Sequence, residues 1–230
     1  MAESFLFRAK RYLRRKIRQY RSGATVSHPE FLHPEAQVLN STLAGKVVVE
    51  AGAIIRDSHF MVSEARVGRH TRVWGPNVHV HCLLHPVEIG SYCSIARNVS
   101  IQEYNHRIDR ISSFFVSCNL FGESMVQDVE SRGPVVIGND VWLAANVTVA
   151  SGVRIGDGAV IGANSVVLSD IPPYAVAAGS PAKVLRYRFP PEVVSRLLEL
   201  QWWNWDEARI QRNRALFSSP LSSELLDKVK

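Results

Sequence analysis

One histidine lies in a polar stretch of the chain whose residue types could perform proton transfer. His106 follows Asn105, precedes Asp109 and is followed by the aromatic pair Phe114-Phe115. Histidine accepts a proton near neutral pH, because its ordinary pKa is about 6.5. We predict that His106 acts as a general base beside the substrate-binding residues Asn105 and Asp109. In this prediction Asp109 either orients the loop or hydrogen-bonds the histidine ring. The alternative for His106 is a surface histidine without a functional role.

An apolar repeat of six residues predicts the secondary structure on which these residues lie. This period fits neither an amphipathic helix nor an alternating strand. It fits a coil of short strands, each with one apolar residue pointing inward and a small residue at the corner. The repeating positions are Leu43, Val49, Ile55, Met61, Val67, Val73, then Ile89, Ile95, Ile101, and finally Ile137, Leu143, Val149, Ile155, Ile161 and Val167. We therefore predict a mainly β fold, a parallel β-helix.

The repeat is interrupted once by a long loop that contains His106. Long excursions from a compact scaffold often carry function. The predicted organisation is a helix over residues 1–22, a β-helix over 23–180 with the inserted loop 102–134, and a helical tail over 181–230.

The first 21 residues have the pattern of a basic amphipathic helix. Phe5, Ala9, Leu13 and Ile17 recur every four residues. The segment contains eight cations and one anion, whereas the remaining chain has a net charge of −1. Two interpretations remain open: the helix packs on the body or a neighbouring subunit, or it lies on an anionic membrane surface. The body gives no reason to expect nucleic acid as a partner.

The sequence of the C-terminal part of the chain predicts a capping helix. Residues 192–200 follow the start signal Pro190-Pro191 and place apolar side chains on one face. The tryptophan-rich stretch 202–205 is interpreted as a packing anchor.

Cysteine usage and hydropathy favour a cytoplasmic protein. Cys82, Cys93 and Cys118 have no metal-like spacing and are interpreted as reduced thiols. No apolar run approaches the 18 or so residues of a membrane span. Peripheral contact with the cytoplasmic face of a membrane, through residues 1–21, is kept as an alternative.

Several segments resemble the hexapeptide-repeat acetyltransferases, which form left-handed parallel β-helices. Ile137-Gly-Asn-Asp-Val-Trp-Leu143, Ile155-Gly-Asp-Gly-Ala-Val-Ile-Gly and Asp170-Ile-Pro-Pro-Tyr look like the xenobiotic and streptogramin branch, and galactoside and maltose acetyltransferases share much of this segment. The resemblance is strongest from about Val87 to Phe217. It implies a homotrimer with acetyl-CoA between adjacent solenoids, and it assigns the catalytic base to His106. The resemblance does not identify the acceptor molecule, because the same scaffold serves many substrates.

The resemblance also implies a cofactor site. An extended pantetheine arm needs small residues at the corners, and a polyanionic cofactor suits cations near its phosphates. Trp142 corresponds to a tryptophan that packs on the pantetheine, although a core position is the alternative. Lys183 and Arg186 are the candidate phosphate ligands, with solvated charges as the alternative. The small residues are Ala144, Ala145, Gly162 and Ala163.

A zinc enzyme is a rival interpretation, since some β-helix trimers are carbonic anhydrases with three histidine ligands. His79 and His81 would share one face of a strand, and His85 follows. The later histidine pair of that family is absent, and the six-residue register would turn His79 inward. We therefore expect no metal.

These observations together predict an acetyl-CoA-dependent O-acetyltransferase. The basic N-terminal segment favours a hydroxyl acceptor in a surface-polysaccharide or lipid-linked glycan precursor. The alternatives are an antibiotic-inactivating acetyltransferase of the streptogramin or chloramphenicol type, a sugar-nucleotide N-acetyltransferase and, remotely, the zinc enzyme. The donor of the oxyanion hole is not predictable from these residues.

Overall fold

The structure, a computed structural model, describes residues 23–229 as two compact units. Residues 23–186 form a solenoid of short parallel strands, and residues 187–229 form a helical unit. The helix expected over residues 1–22 lies outside the described residues. Within residues 23–229, none of the helices is long and apolar enough to cross a membrane.

Among residues 23–229, eight strands precede the interruption of the repeat and eight follow it. The first set is β1 (Thr25–Val26), β2 (Gln37–Leu39), β3 (Thr42–Val49), β4 (Ile54–Val67), β5 (Arg72–Cys82), β6 (Val87–Ile89), β7 (Ser94–Ile95) and β8 (Ser100–Gln102). Two strands, β9 (Tyr104–His106) and β10 (Val129–Ser131), lie within the interruption. The last set is β11 (Val135–Ile137), β12 (Trp142–Leu143), β13 (Thr148–Val149), β14 (Arg154–Ile155), β15 (Val160–Ile161), β16 (Val166–Val167), β17 (Ala175–Gly179) and β18 (Ala182–Tyr187).

The inward-pointing residues stack in three columns, one for each side of the coil. Each column is a run of parallel pairs between successive coils, so that one buried side chain lies directly above the next. Burial of these branched side chains stabilises the solenoid, because each contributes about 1.5–3 kcal/mol when removed from water. The columns are Val38, Ile55, Val73, Ile95, Leu143, Ile161 and Ala177; Leu43, Phe60, Val80, Ile101, Val149 and Val167; and Val49, Val67, Ile89, Ile137 and Ile155. The predicted β-helix is therefore confirmed.

One corner of the solenoid is built from asparagines with left-handed backbone conformations. Asn77, Asn98, Asn146 and Asn164 have φ values between 59° and 63°. Asparagine tolerates this region better than most residues, because its short side chain can hydrogen-bond locally. Each amide nitrogen donates to the amide oxygen of the next asparagine, at 3.2, 2.9 and 2.8 Å. This asparagine ladder fixes the coils in register along the corner.

The predicted inward position of Met61 is wrong. Met61 is 52% exposed, and Phe60 is fully buried in its place. The pairing register of β4 with β5 shifts between Arg56 and Ser58, where Asp57 adopts a left-handed φ of 49°. Because side chains alternate along a strand, a shift by one residue moves the inward position to its neighbour.

The predicted inward position of His79 is wrong for the same reason. In the second half of β5, Val78 and Val80 are fully buried, and His79 lies between them on the outer face. Val80 pairs with Phe60 in one adjacent coil and with Ile101 in the other. The inward positions therefore depart from the six-residue spacing already in β4, one coil earlier than the sequence pattern indicates.

The loop predicted over 102–134 corresponds to residues 103–134, called the excursion here. Its strands β9 and β10 pair antiparallel, with His106 opposite Val129. Between them lie helix α1 (Val116–Asn119) and a 3₁₀ turn, Met125–Asp128.

The solenoid ends in a strand that lies within the predicted helical tail. Residue 181 was the predicted start of that tail, yet Ala182–Tyr187 is β18, hydrogen-bonded to β17. Gly179, at φ 105°, provides a backbone conformation that side-chain-bearing residues rarely adopt, and Pro181 follows it in the turn. This turn brings the chain back beside β17, so that residues 182–187 extend the sheet.

The helical unit contains the predicted C-terminal helix. Its helices are α2 (Pro191–Leu200), α3 (Glu207–Arg212), α4 (Arg214–Ser218) and α5 (Ser223–Leu226), with a 3₁₀ turn at Trp202–Asn204. Pro191 stands at the first turn of α2, where a missing N–H costs nothing. Trp203 and Trp205 are buried, and the Trp202 ring lies edge-on to Phe217 at 5.0 Å. The tryptophans therefore pack within this part of the chain.

Candidate active site

The imidazole of His106 is held by two contacts within the excursion. Its Nδ1 lies 2.7 Å from the carbonyl oxygen of Ser113. Its ring stacks on Phe115, with centroids 4.2 Å apart and planes inclined by 28°. A carbonyl oxygen can only accept, so Nδ1 carries the hydrogen and donates it. The lone pair of the neutral ring is then on Nε2, which is the arrangement that a general base requires.

Neither Ser113 nor Phe115 was singled out as a partner of His106 by the sequence. Ser113 acts through its backbone carbonyl, which every residue possesses, so its type contains no signal. The aromatic pair Phe114-Phe115 was visible in the sequence, and the structure distinguishes its members. Phe115 lies on the imidazole, whereas Phe114 is 56% exposed.

Asp109 does not bond the ring of His106. Its carboxylate accepts hydrogen bonds from the guanidinium of Arg107, from Nε at 3.0 Å and from Nη2. The hydrogen bond from Arg107 lowers the pKa of Asp109 below its usual range. The backbone carbonyl of Ser113 therefore orients the imidazole ring. Of the two roles predicted for Asp109, only the ordering of the loop is compatible with these contacts.

Asn105 is exposed and precedes His106 within β9. Successive side chains of a strand point to opposite faces, so the amide of Asn105 and the imidazole of His106 leave the strand in opposite directions. The two side chains therefore do not share one face of β9.

The small residues predicted to line the cofactor groove stack along one edge of the solenoid. Ala144 donates its backbone N–H to Ile161 at 3.0 Å, and Gly162 donates to Ala177 at 2.8 Å. A Cβ added to Gly162 would lie only 2.9 Å from the Cβ of Ala178, so glycine permits this close stacking. Ala145 is half-buried and Ala163 is exposed.

Trp142 is not a core residue. Its side chain is 52% exposed, on the outer face of β12 beside Val160 of the next coil. An exposed indole next to a row of small residues is a flat apolar surface available to an extended ligand.

The two predicted phosphate ligands do not share a face of β18. Lys183 and Arg186 are both exposed, but they are three residues apart in a strand. Because the side-chain period of a strand is two, they leave the strand on opposite faces. The structure therefore does not bring this pair together as one anion site.

The candidate base and the small-residue edge belong to different corners of the coil. The excursion begins after β8, which pairs with β13. Ala145 lies in the turn before β13, and Ser151, which bonds Ser131 of the excursion, lies after it. The residues between these two turns, 147–150, span roughly 13 Å in extended conformation. The solenoid corner that anchors the excursion is thus distinct from the corner that contains Ala145.

The histidines considered for zinc are close together without forming a ligand set. The rings of His59 and His79 are stacked at 5.2 Å, and those of His79 and His81 at 6.0 Å. Burial and the neighbouring His79 lower the pKa of His81. Among the described residues, His, Cys, Asp and Glu form no group of three that could hold a metal ion. The zinc interpretation gains no support from this part of the chain.

Comparison with known proteins defines the class of this parallel β-helix. The family described as "Bacterial transferase hexapeptide (six repeats)" matches residues 134–169. A solved structure, the polySia-specific acetyltransferase NeuO, superimposes with a TM-score of 0.54 at 24% identity, covering 69% of this chain and 71% of that one. This likeness concerns the fold.

Sequence relatives match a larger share of the chain than residues 134–169. A probable macrolide acetyltransferase of Lysinibacillus sphaericus is 41% identical, over 61% of this chain and 82% of the relative. A chloramphenicol acetyltransferase of Klebsiella aerogenes is 41% identical, over 54% and 61%. A putative lipopolysaccharide biosynthesis O-acetyl transferase of Escherichia coli (strain K12) is 40% identical, over 52% and 62%. The chain belongs to the hexapeptide-repeat acetyltransferases, and it is an acyltransferase.

Proposed function

We propose that the protein is an acetyl-CoA-dependent O-acetyltransferase with His106 as general base. The observation that carries this proposal is the geometry of the ring. The Ser113 carbonyl fixes the hydrogen on Nδ1, and the stacked Phe115 fixes the ring plane. Nε2 is therefore the atom that takes the proton of an acceptor hydroxyl.

The reaction then proceeds by direct transfer. The acceptor oxygen attacks the thioester carbonyl as its proton passes to Nε2 of His106, and a tetrahedral intermediate forms. Collapse of the intermediate breaks the carbon–sulfur bond, and the imidazolium returns the proton to the leaving thiolate. The products are an acetyl ester and free CoA.

The proposed donor site runs along the small-residue edge, beside the exposed face of Trp142. Ala144, Ala145, Gly162 and Ala163 leave room there for an extended pantetheine. Lys183 and Arg186 are proposed as phosphate ligands. Since they lie on opposite faces of β18, we expect them to contact different phosphates or different copies of the ligand.

We propose a homotrimer as the working assembly. The separation between the corner that anchors the excursion and the corner that contains Ala145 supports this proposal. A second copy would present its small-residue edge to the excursion of the first, which unites base and donor without distorting either.

The proposed acceptor is a sugar hydroxyl in a surface-polysaccharide or lipid-linked glycan precursor. The charge distribution supports it, because the first 21 residues contain eight cations and one anion. Each Lys or Arg near an anionic membrane surface contributes about 1 kcal/mol. The named role of the Escherichia coli relative is compatible with this acceptor. We accordingly propose a cytoplasmic enzyme that contacts the inner face of the membrane through residues 1–21.

A second candidate acceptor is an antibiotic hydroxyl. It is favoured by the names of the macrolide and chloramphenicol acetyltransferases, which are each 41% identical to this chain over more than half of its length. In that case the basic segment would have a role in packing, and membrane association would be unnecessary for turnover.

The test is a thiol-release assay with acetyl-CoA and a panel of acceptors: macrolides, chloramphenicol, free sugars, sugar nucleotides and lipid-linked glycans. Turnover on glycans alone supports the first acceptor, and turnover on a drug supports the second. His106→Ala should lower kcat by about 10² to 10⁴ with nearly unchanged acetyl-CoA affinity, as expected for a lost base. Near-normal turnover of this variant would contradict the proposed mechanism.

Membrane contact is tested separately. Deletion of residues 1–21 should abolish co-sedimentation of the protein with anionic liposomes. Co-sedimentation with neutral liposomes should not change. If the deletion variant partitions like the full chain, the basic segment is not a membrane anchor.

A further inference from the structure

The excursion contains two buried carboxylates, those of Glu103 and Asp128, and the proposed reaction uses neither of them. Asp128 is only 5% exposed and lies at the end of the 3₁₀ turn. Its Oδ2 accepts the backbone N–H of Cys118 at 2.8 Å, and its Oδ1 accepts that of Ser117 at 3.2 Å. Arg110 Nη1 lies 3.4 Å from Oδ1. The backbone carbonyl of Asp128 also accepts the N–H of Arg107, at 3.2 Å.

These contacts keep Asp128 ionised despite its burial. Burial alone disfavours the charged carboxylate and raises its pKa. The amide donors of Cys118 and Ser117 and the charge of Arg110 outweigh this effect, so that the pKa of Asp128 lies below its usual range. A charged group that accepts hydrogen bonds from two backbone amides is a stronger tie than a neutral one.

Asp128 contacts two segments of the excursion, and the same two segments hold His106 in place. Arg107 is the next residue after His106, at the end of β9. Ser117 and Cys118 belong to α1, which begins directly after Phe115, the residue stacked on the imidazole. Asp128 thus connects the strand that supplies the base to the helix whose start supplies the ring contact.

We propose that Asp128 is a positioning residue for His106. Its carboxylate holds the start of α1 to residue 128, and the backbone carbonyl of the same residue is bonded to Arg107 at the end of β9. The carboxylate thereby keeps the Ser113 carbonyl and the Phe115 ring against the imidazole and so aims Nε2. This inference rests on the proposed role of His106 as the base. Asp128 touches no reacting atom in this scheme, and its effect passes through His106.

The first measurement compares kcat and the acetyl-CoA KM of Asp128→Ala with the same constants for the wild type. A misplacement of about 1 Å costs on the order of 10² in rate, so we expect kcat to fall by roughly 10- to 100-fold. The acetyl-CoA KM should stay within about twofold, because the proposed donor site lies at another corner. Glu123→Gln, an exposed carboxylate of the same excursion, is the matched control and should behave as wild type.

A partial rescue separates positioning from general destabilisation. Asp128→Asn keeps a side-chain oxygen that accepts one of the amides, and it loses the charge. Its kcat should lie between those of the wild type and of Asp128→Ala when each protein is assayed well below its unfolding midpoint. If Asp128→Ala does not fold, Asp128→Asn takes its place in every comparison.

The decisive measurement combines Asp128→Ala with His106→Ala. If Asp128 acts through His106, the double variant loses no more than about twofold beyond His106→Ala alone. Independent, multiplicative losses would overturn the inference, as would wild-type kcat in Asp128→Ala. Retained turnover in His106→Ala alone would instead overturn the proposed function, so the two failures are distinguishable.

Discussion

The solenoid and the excursion are built by opposite means. In the solenoid, the branched side chains of successive coils stack in buried columns, and the backbone pairs with the coils above and below. In the excursion, large apolar side chains such as Ile108, Ile111 and Phe121 are mostly exposed, and the buried groups include the carboxylate of Asp128. A repeated apolar contact stabilises the scaffold, whereas a few directional hydrogen bonds orient the candidate base.

This comparison predicts that solenoid substitutions act on stability and excursion substitutions on turnover. Phe60→Ala should lower the free energy of unfolding by about 3–5 kcal/mol, since a fully buried aromatic side chain is removed from a column. Met61→Ala, at the exposed neighbouring position, should change it by no more than about 0.5 kcal/mol. Denaturant titration of both variants measures the difference. Equal losses would contradict the register of β4.

One solenoid residue, Ala163, is expected to affect substrate binding and not stability. Ala163→Leu places a larger side chain on the exposed small-residue edge. We expect the acetyl-CoA KM to rise about tenfold or more, equivalent to roughly 1.4 kcal/mol of binding, with an unchanged unfolding midpoint. Ser169→Leu, also exposed but at another corner, is the control. An unchanged KM would remove Ala163 from the donor site.

The reactivity of the cysteine thiols is also expected to differ between the solenoid and the excursion. Burial raises the pKa of Cys93 in the solenoid to about 12, so at pH 8 only about one molecule in ten thousand carries its thiolate. The thiolate fraction, and with it the reactivity of Cys93, rises as the pH approaches that pKa. Cys118 of the excursion is half-buried and is expected to react first.

The measurement is labelling of the native protein at pH 8 with an aromatic disulfide reagent. One thiol should react rapidly, and Cys118→Ser should remove that phase. Unfolding in denaturant should then expose the two remaining thiols. A fast second phase in the native variant would show that the solenoid opens locally more often than its burial indicates.

The stacked columns were predictable from the sequence. Apolar residues that repeat every six positions pack on the equivalent residue of the next coil, so the spacing alone defines their partners. Leu143, Ile161 and their equivalents are buried as expected. The prediction failed at Met61 and His79, where the spacing departs from six residues. A left-handed Asp57 absorbs one register shift there, and sequence spacing alone does not distinguish such a shift from continued repetition.

The candidate site was predictable only as far as its side chains signal their chemistry. His106 was identified by its type and its place in a long interruption of the repeat. The partner that orients it, the Ser113 carbonyl, is a backbone group and leaves no trace in residue types. Asp128 lies 22 residues further along the chain, and its contacts depend on how the excursion folds.

The strand β18 has a consequence for polymerisation. A solenoid that ended on β17 would present unpaired backbone groups, onto which another chain could add as the next coil. Here the chain turns at Gly179 and fills that position with its own strand. The new outer strand contains Lys183 and Arg186, and charged edge strands resist pairing with one another. The turn at Gly179 therefore gives this part of the sheet a fixed length, and it protects that end of the solenoid against growth into a fibre.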